Sequence, residues 1–464
     1  MDVRPMSRRQ SPSRAALPLR IRWGVAAGEV GGALSFVAQN TWLLYFLVNI
    51  VGLPPVVAGA VFVTGRVFDA FLDPVVGDLL DRNLHRVPRL RWVRLSALPF
   101  GLSFALMWAW PMLEGPRFLW ALLGLMLHSV LFTTATMAIQ SLTPTLAPDY
   151  DGRTRLTGWR VAATILCSLL AISGPPALVL ATTGDSDLAS SSAVGWVVMG
   201  VVIGLVAIGG YVVAVLAIVE APHPAPAEPA RRLDLAVLRR IWALRPFRSL
   251  LAVHVVVTLA IMIGNATLPF FLESVLGMGA AEQSLTLGAF YLLSALTLPL
   301  WSVVASRVGK PRALAIGTVV YAAGVLLFAV LRPTTETLGP LALVIVVAGL
   351  GLSAILVLPL AMVPDLSEFV EDATGVRREG LLYALFGFAT KIAGSVGVFG
   401  SAIVASAVGY VSGQSAQDDA TQLGLTLVIG PVAAAVCLLA AVLAVRSPLT
   451  RAAFEQVRER VGRA

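Results

Sequence analysis

The run TGRVFDAFLDPVVGDLLDR places Arg66, Asp69, Asp73, Asp78 and Asp81 in otherwise apolar surroundings. Steps of three and four residues set Arg66, Asp69 and Asp73 on one face of a helix, because at that spacing helical side chains overlie one another. Two carboxylates one turn apart and away from water do not both stay charged unless a cation lies between them. A proton or a sodium ion meets that need, so the spacing predicts a cation site at Asp69 and Asp73. The alternative is that Arg66 simply neutralises Asp69, which leaves Asp73 without a counter-charge. Asp78 and Asp81 stand nearer the end of the run, followed by Arg82, and predict a gating cluster of ion pairs with nearby arginines.

Lys391 is the second unusual charge. The chain carries two lysines against 32 arginines, and this one lies inside an apolar stretch. An ammonium is a compact point charge whose proton affinity responds to burial. Its expected partner is Asp69 or Asp73 on a facing helix, or an anionic group on a solute; the alternative is a side chain that snorkels to the membrane surface. Gln39, Asn40, Thr133, Thr134, Thr136, Gln140 and Asn265 either line a polar cavity or join helices at small-residue contacts. His128 and His254 have no second ligand at metal spacing, so no metal site is expected. The stretches GEVGGAL and GFATKIAGSVGVFG lack the strand context of a nucleotide fold and predict close helix packing.

Such groups need long apolar elements to hold them, and the composition supplies these. Hydrophobic residues make up 57% and charged residues 13% of 464, against roughly 45–50% and about 25% in soluble proteins. That excludes a soluble enzyme and a disordered chain, and two cysteines exclude a disulfide scaffold. A spanning helix takes about 20 apolar residues. By that measure twelve spans are predicted, near 23–51, 55–81, 92–113, 118–148, 158–182 and 193–219, then 247–277, 283–306, 311–332, 338–364, 380–408 and 421–446. The fold class is therefore all-α and polytopic, with two six-helix bundles, 23–219 and 247–446. A Pro/Ala-rich and then basic linker, 220–246, joins them, and tails flank them at 1–22 and 447–464. The first tail has no apolar core and does not read as a signal peptide.

Thirty of the 34 lysines and arginines fall in loops on the side of the two termini, which predicts cytoplasmic termini in a cell membrane. The net charge of +8 is thereby a topology signal, and no nucleic-acid partner is expected. The predicted partners are the lipid bilayer and a small-molecule substrate, with the chain acting as a monomer. Helix 2 entered at Pro55 reaches Asp69 after about 21 Å, and helix 11 entered at Gly380 reaches Lys391 after about 16 Å, both close to the midplane. The ends of helices 4 and 10 are alike: Ala147-Pro148-Asp149 with Gly152-Arg153, and Val363-Pro364-Asp365 with Gly375-Val376-Arg377-Arg378. Paired halves of this kind fit a transporter with its substrate between two rocking bundles.

With Asp69-Ala70-Phe71-Leu72-Asp73-Pro74 in helix 2, Leu142-Thr143-Pro144, Asp149, Arg153 and Arg160 around the 4–5 loop, and Thr374 to Gly380 before Lys391, almost the whole chain resembles the glycoside-pentoside-hexuronide:cation symporters of the major facilitator superfamily. The resemblance implies that Asp69, Asp73 and Thr133 bind the coupling cation and that Lys391 is functional. Leu72 stands where sodium-coupled members carry a polar residue, which favours a proton as the coupling ion over sodium; no other cofactor is implied. Members that take galactosides carry acids where this chain has Ala33 and Thr136, and a tryptophan where it has Gln140. Sugar transport is the family's trade, but retention of Arg160 and Lys391, with Glu29 one turn from Ala33, suits an anionic or zwitterionic amphiphile equally. The predicted substrate residues are Lys391, Arg160, Thr136, Gln140 and Glu29. The predicted gate comprises Asp78, Asp81, Arg82, Asp149, Arg153, Asp365, Arg377, Arg378 and Glu379, with Arg160 also in reach.

Two other classes compete with a symporter. A membrane prenyltransferase uses Asp-rich helices to hold magnesium pyrophosphate, but it needs a second Asp-rich helix that no other span supplies. A non-transporting scaffold would bear the cost of buried charges without using them.

Overall fold

The computed structural model describes residues 18–83, 87–142, 146, 150–218, 235–331, 338–375 and 379–460. Twelve long helices dominate it. The first six are α1 (Leu19–Asn49), α2 (Pro55–Arg82), α3 (Arg89–Ala109), α4 (Arg117–Gln140), α5 (Tyr150–Thr183) and α6 (Ala193–Ala217). The second six are α7 (Arg245–Ser274), α8 (Ala280–Val308), α9 (Lys310–Leu326), α10 (Leu338–Ala361), α11 (Glu379–Ala407) and α12 (Asp419–Val445). Short helices at Leu235–Ala243, Val363–Thr374 and Arg451–Arg460 lie at the ends of the spans.

Among the described residues, eleven of these segments are long and apolar enough to cross a membrane. The twelfth, α1, is as long, but Gln39, Asn40 and Thr41 interrupt its apolar run. All three are buried among neighbouring helices, so protein and not lipid surrounds them. Large apolar side chains such as Phe71, Leu285 and Leu296 are instead exposed on the outside of the bundles, which is where a spanning protein meets acyl chains.

Several predicted boundaries move, the start of α5 from 158 to Tyr150 among them. Helix α4 ends at Gln140 where the sequence predicted a span to 148, and residues 143–145 and 147–149 lie outside the described set. Helix α10 ends at Ala361, and Pro364 then begins a separate helix, Val363–Thr374. Proline has no N–H to continue the preceding ladder but suits a first helical turn.

Among the described residues the halves touch chiefly along three seams: α2 with α11, α5 with α8, and α1 with α7. Two glycines in α2 set the distances. A Cβ on Gly59 would stand 2.7 Å from the Ala402 Cβ of α11, and one on Gly65 would stand 2.5 Å from Leu125 Cδ2 of α4. Only glycine lets α2 lie this close to both neighbours, and that closeness brings their polar side chains to Asp69 and Asp73. The opposite face of α2 turns Phe71 and Val75 outward.

Candidate functional site

The charged face of α2 meets α1, α4 and α11 in the middle of the bundle. The Lys391 ammonium lies 2.5 Å from Asp73 Oδ2 and 3.0 Å from Asp69 Oδ2. Thr133 donates its hydroxyl to both acids, at 3.2 Å to Asp73 and 3.4 Å to Asp69. Arg66 approaches Asp69 at 3.5 Å, donates to Asn40 Oδ1 at 2.9 Å and lies 5.2 Å over the Phe36 ring. Two cations thus balance two carboxylates, as groups in a membrane interior must be balanced when an unpaired charge costs about 2.5–3.5 kcal/mol.

The two acids are not equivalent. The Asp69 side chain is 2% exposed, between Arg66 and Lys391, whereas that of Asp73 is 28% exposed. Asp73 is the open side of the pair, and Lys391 holds both acids from the far half of the protein. An ammonium bridging two carboxylates under a threonine hydroxyl stands where a small cation would stand. The arrangement can exchange that ammonium for a proton or a metal cation of the same charge.

One turn beyond the pair, toward the face that carries the termini, the seam changes. Gly77 of α2 and Gly387 of α11 each have nothing within 4 Å of where a Cβ would be, in contrast to Gly59 on the other side of the pair.

The remaining predicted site residues are distributed differently. Arg160 of α5 and Glu29 of α1 form an ion pair at 2.6 Å, with 20% and 13% of their side chains exposed. The sequence placed both in the substrate site and Arg160 also within reach of the gate; the structure pairs them with each other because α1 and α5 are packed neighbours. Thr136 donates to the Phe132 carbonyl of its own helix at 2.7 Å, and Gln140 is exposed at the end of α4.

Of the predicted gate, Asp365 is paired with Lys310 at 2.6 Å. Lys310 opens α9 and Asp365 sits in the first turn of Val363–Thr374, so the nearer cation lies in the same bundle. Asp78 is exposed on α2. The side chains of Asp81, Arg82, Asp149, Arg153, Arg377, Arg378 and Glu379 lie outside the described residues.

A second polar seam closes the face opposite the termini, and the sequence reading passed over it. Tyr45 of α1 donates to Glu273 Oε2 of α7, and the Ala189 N–H of the α5–α6 loop donates to Glu273 Oε1 at 2.7 Å. Ser415 of the α11–α12 loop donates to Asp187 at 3.0 Å. Tyr410 and the Gly413 N–H both reach Asn49 Oδ1 at 3.1 Å, and the Ala280 N–H reaches the Ser186 carbonyl at 2.7 Å. Every one of these bonds crosses between halves. Edge-on and tilted aromatics fix Tyr45: the Trp42, Trp196 and Phe270 rings lie 5.1–5.9 Å from it. The signal was available, since Glu273 is a carboxylate inside the predicted span 247–277.

The pattern of the family described as MFS/sugar transport protein matches residues 24–451. An uncharacterized symporter of Synechocystis sp. is 23% identical, over 97% of this chain and 98% of its own. The sodium-dependent lysophosphatidylcholine symporter 1-A of Danio rerio is 24% identical, over 88% of this chain and 82% of its own. In fold, the chain is similar to a bacterial homolog of the human lysosomal transporter Spinster, solved in an inward-facing, unoccupied conformation, with a TM-score of 0.67 and 16% identity over 92% of this chain and 98% of that one.

Proposed function

Because the chain belongs to the MFS/sugar transport protein family, we propose that it is a cation-coupled symporter that moves a small solute by alternating access. One observation carries the coupling: Lys391 reaches from one half into the carboxylate pair of the other. When a cation occupies Asp69, Asp73 and Thr133, the ammonium is released and the α2–α11 seam loses its central tie. Ion binding and the movement of the halves are then one event, which is what symport requires. The lack of a side-chain oxygen at Leu72 leaves few ligands for sodium, and a proton needs only one carboxylate, so the proposed ion is the proton. The sodium-dependent relative named above keeps sodium as the alternative to be tested.

Tied ends opposite the termini and unfilled space at Gly77 and Gly387 support an arrangement open toward the termini. With the positive-inside charge pattern, that is a cytoplasm-facing state in a cell membrane. Gating by Asp78, Asp81, Arg82, Asp149, Arg153, Asp365, Arg377, Arg378 and Glu379 belongs to the opposite, cytoplasm-closed state, in which the halves meet at the terminus face.

For the substrate, Glu29 and Arg160 offer one charge of each sign, both partly exposed. A solute with a single charge would strand one of them, whereas a zwitterion or a polyhydroxylated sugar can replace both partners. The proposed substrate class is therefore a zwitterionic amphiphile or a sugar-like solute, with Thr136, Gln140 and Lys391 as further contacts. The family assignment removes the ground for a prenyltransferase. Uptake into proteoliposomes under imposed proton or sodium gradients tests the proposal: accumulation against a gradient supports it, and uptake that only equilibrates under either ion contradicts it.

A further inference from the structure

The seam opposite the termini is built unlike the cation site. Glu273 is 4% exposed; its carboxyl accepts from Tyr45 and from the Ala189 N–H at 2.7 Å, and the same N–H reaches Asp187 Oδ1 at 3.1 Å, which sets the two carboxyls side by side. Among the described residues, the titratable groups facing it are Tyr45 from α1, Asp187 from the α5–α6 loop and Tyr410 from the α11–α12 loop, with no cation among them. Two carboxyls that converge on one N–H with no cation beside them do not both stay ionised, because a like charge at that distance favours the protonated form of one of them. A cleft of about 420 Å³, lined by Asp187, Glu273 and Ser415, connects this pair to the surface.

We propose that the seam is a proton latch, in which one proton shared by Glu273 and Asp187 holds this face shut and its loss to the medium lets the face open. The proton sits between a spanning helix of one half and a loop of the other. When the halves part, both carboxyls meet water, lose each other and ionise, and the proton leaves to the medium on that side. Closure takes it back, so no proton crosses the membrane by this route. Burial pushes the Asp187 carboxyl up, but the Glu273 carboxyl, the Ser415 and Ser190 hydroxyls and the Ala189 N–H around it outweigh that and hold Asp187 below the ordinary carboxylate value. Asp187 therefore accepts and Glu273 carries the proton.

The sign follows from linkage. The closed latch binds one proton more than the open one, so acid on this side favours closure and alkali favours opening. One proton per opening changes the open-to-closed ratio by about tenfold per pH unit across the titrating range. The latch rests on the alternating-access reading only in that this seam must part, and it is separable from the Asp69–Asp73 site.

The experiment uses the full chain in nanodiscs, with spin labels at Thr182→Cys and Ala420→Cys. Both positions are exposed on this face, one in each half, and the native Cys167 and Cys437 are buried. Distance distributions across a pH series should show the long, open population growing by about tenfold in ratio per pH unit. Glu273→Gln should abolish the response and stay closed, because a neutral amide at this position has no proton to lose, while its oxygen still accepts from the Ala189 N–H. Asp187→Asn should also abolish the response, and Asp73→Asn should keep it. A flat wild-type series overturns the latch, as does a response that persists in both Glu273→Gln and Asp187→Asn. A response that survives Glu273→Gln and disappears in Asp73→Asn belongs to the cation site; it too overturns the latch, while leaving the coupling proposal standing.

Discussion

The middle of the bundle and the face opposite the termini both join the halves through buried acids, but they balance those acids differently. At the centre Asp69 and Asp73 are matched by Arg66 and Lys391. At the far face Glu273 and Asp187 are met by Tyr45, Ser415 and backbone N–H groups, all neutral. A junction balanced by fixed cations exchanges one cation for another, whereas a junction without them can only gain or lose a proton. The first therefore suits coupling and the second suits gating, although the two are built from the same residue type.

Removing Lys391 should have the largest effect. Lys391→Ala leaves Asp73 with no counter-charge and the α2–α11 seam with no central tie, and gradient-driven accumulation should fall at least tenfold. Lys391→Arg should not restore it, since a planar guanidinium does not replace a point charge between two carboxylates; full rescue by arginine would reduce the lysine to a generic cation.

Next in size are the acids, and here burial separates them. Asp73→Asn should abolish uphill transport while sparing thermal stability, because Asp73 is partly exposed. Asp69→Asn should abolish it as well and also lower the melting temperature, because Arg66 then lies buried without its carboxylate, a change that costs about 3–5 kcal/mol in buried pairs. Equal melting temperatures for the two variants would contradict the inequality drawn between these acids. Gly59→Leu should come third. Its side chain would meet Ala402 and the Phe399 ring, and overpacking of about 1–3 kcal/mol should splay α2 from α11 and weaken coupling several-fold, visible as uptake that no longer tracks the gradient.

Tyr45→Phe sharpens the other side. It deletes one neutral hydrogen bond to Glu273, worth about 1 kcal/mol, and should raise the open population of the far face about fivefold in the spin-label experiment without altering coupling. The smallest effect belongs to Lys310→Gln. The Lys310–Asp365 pair is partly exposed and confined to one half, so stability should change by less than about 1 kcal/mol and transport should be unchanged; a large transport defect would make Lys310 itself part of the gate.

Legibility in the sequence followed sequence distance. The common face of Arg66, Asp69 and Asp73 could be read because helical spacing alone fixes it. The twelve spans could be read because a bilayer demands long apolar runs. Which partner Arg160 or Asp365 takes could not, because that depends on which helices become neighbours, and both acids and arginines recur at many helix ends. Glu29 and Arg160 are 131 residues apart and meet only because α1 packs on α5. Glu273 was overlooked for a different reason. A single acid near the end of a span looks like an interfacial residue until the loop bearing Asp187 and Ala189 is seen to fold over it.

The central claim is that a coupling cation and the Lys391 ammonium compete for Asp69 and Asp73. The chain has only two lysines, Lys310 and Lys391, so protein labelled with ¹⁵N-lysine gives two side-chain signals, assignable through Lys310→Gln. The measurement is the Lys391 signal in nanodiscs during a pH titration in sodium-free buffer and a sodium titration at fixed pH. The account predicts that acidification shifts the Lys391 signal in a saturable way, that the shift is absent in Asp73→Asn, and that Lys310 does not follow it. A sodium-driven shift would name sodium as the coupling ion. A Lys391 signal that responds to neither cation would contradict the account.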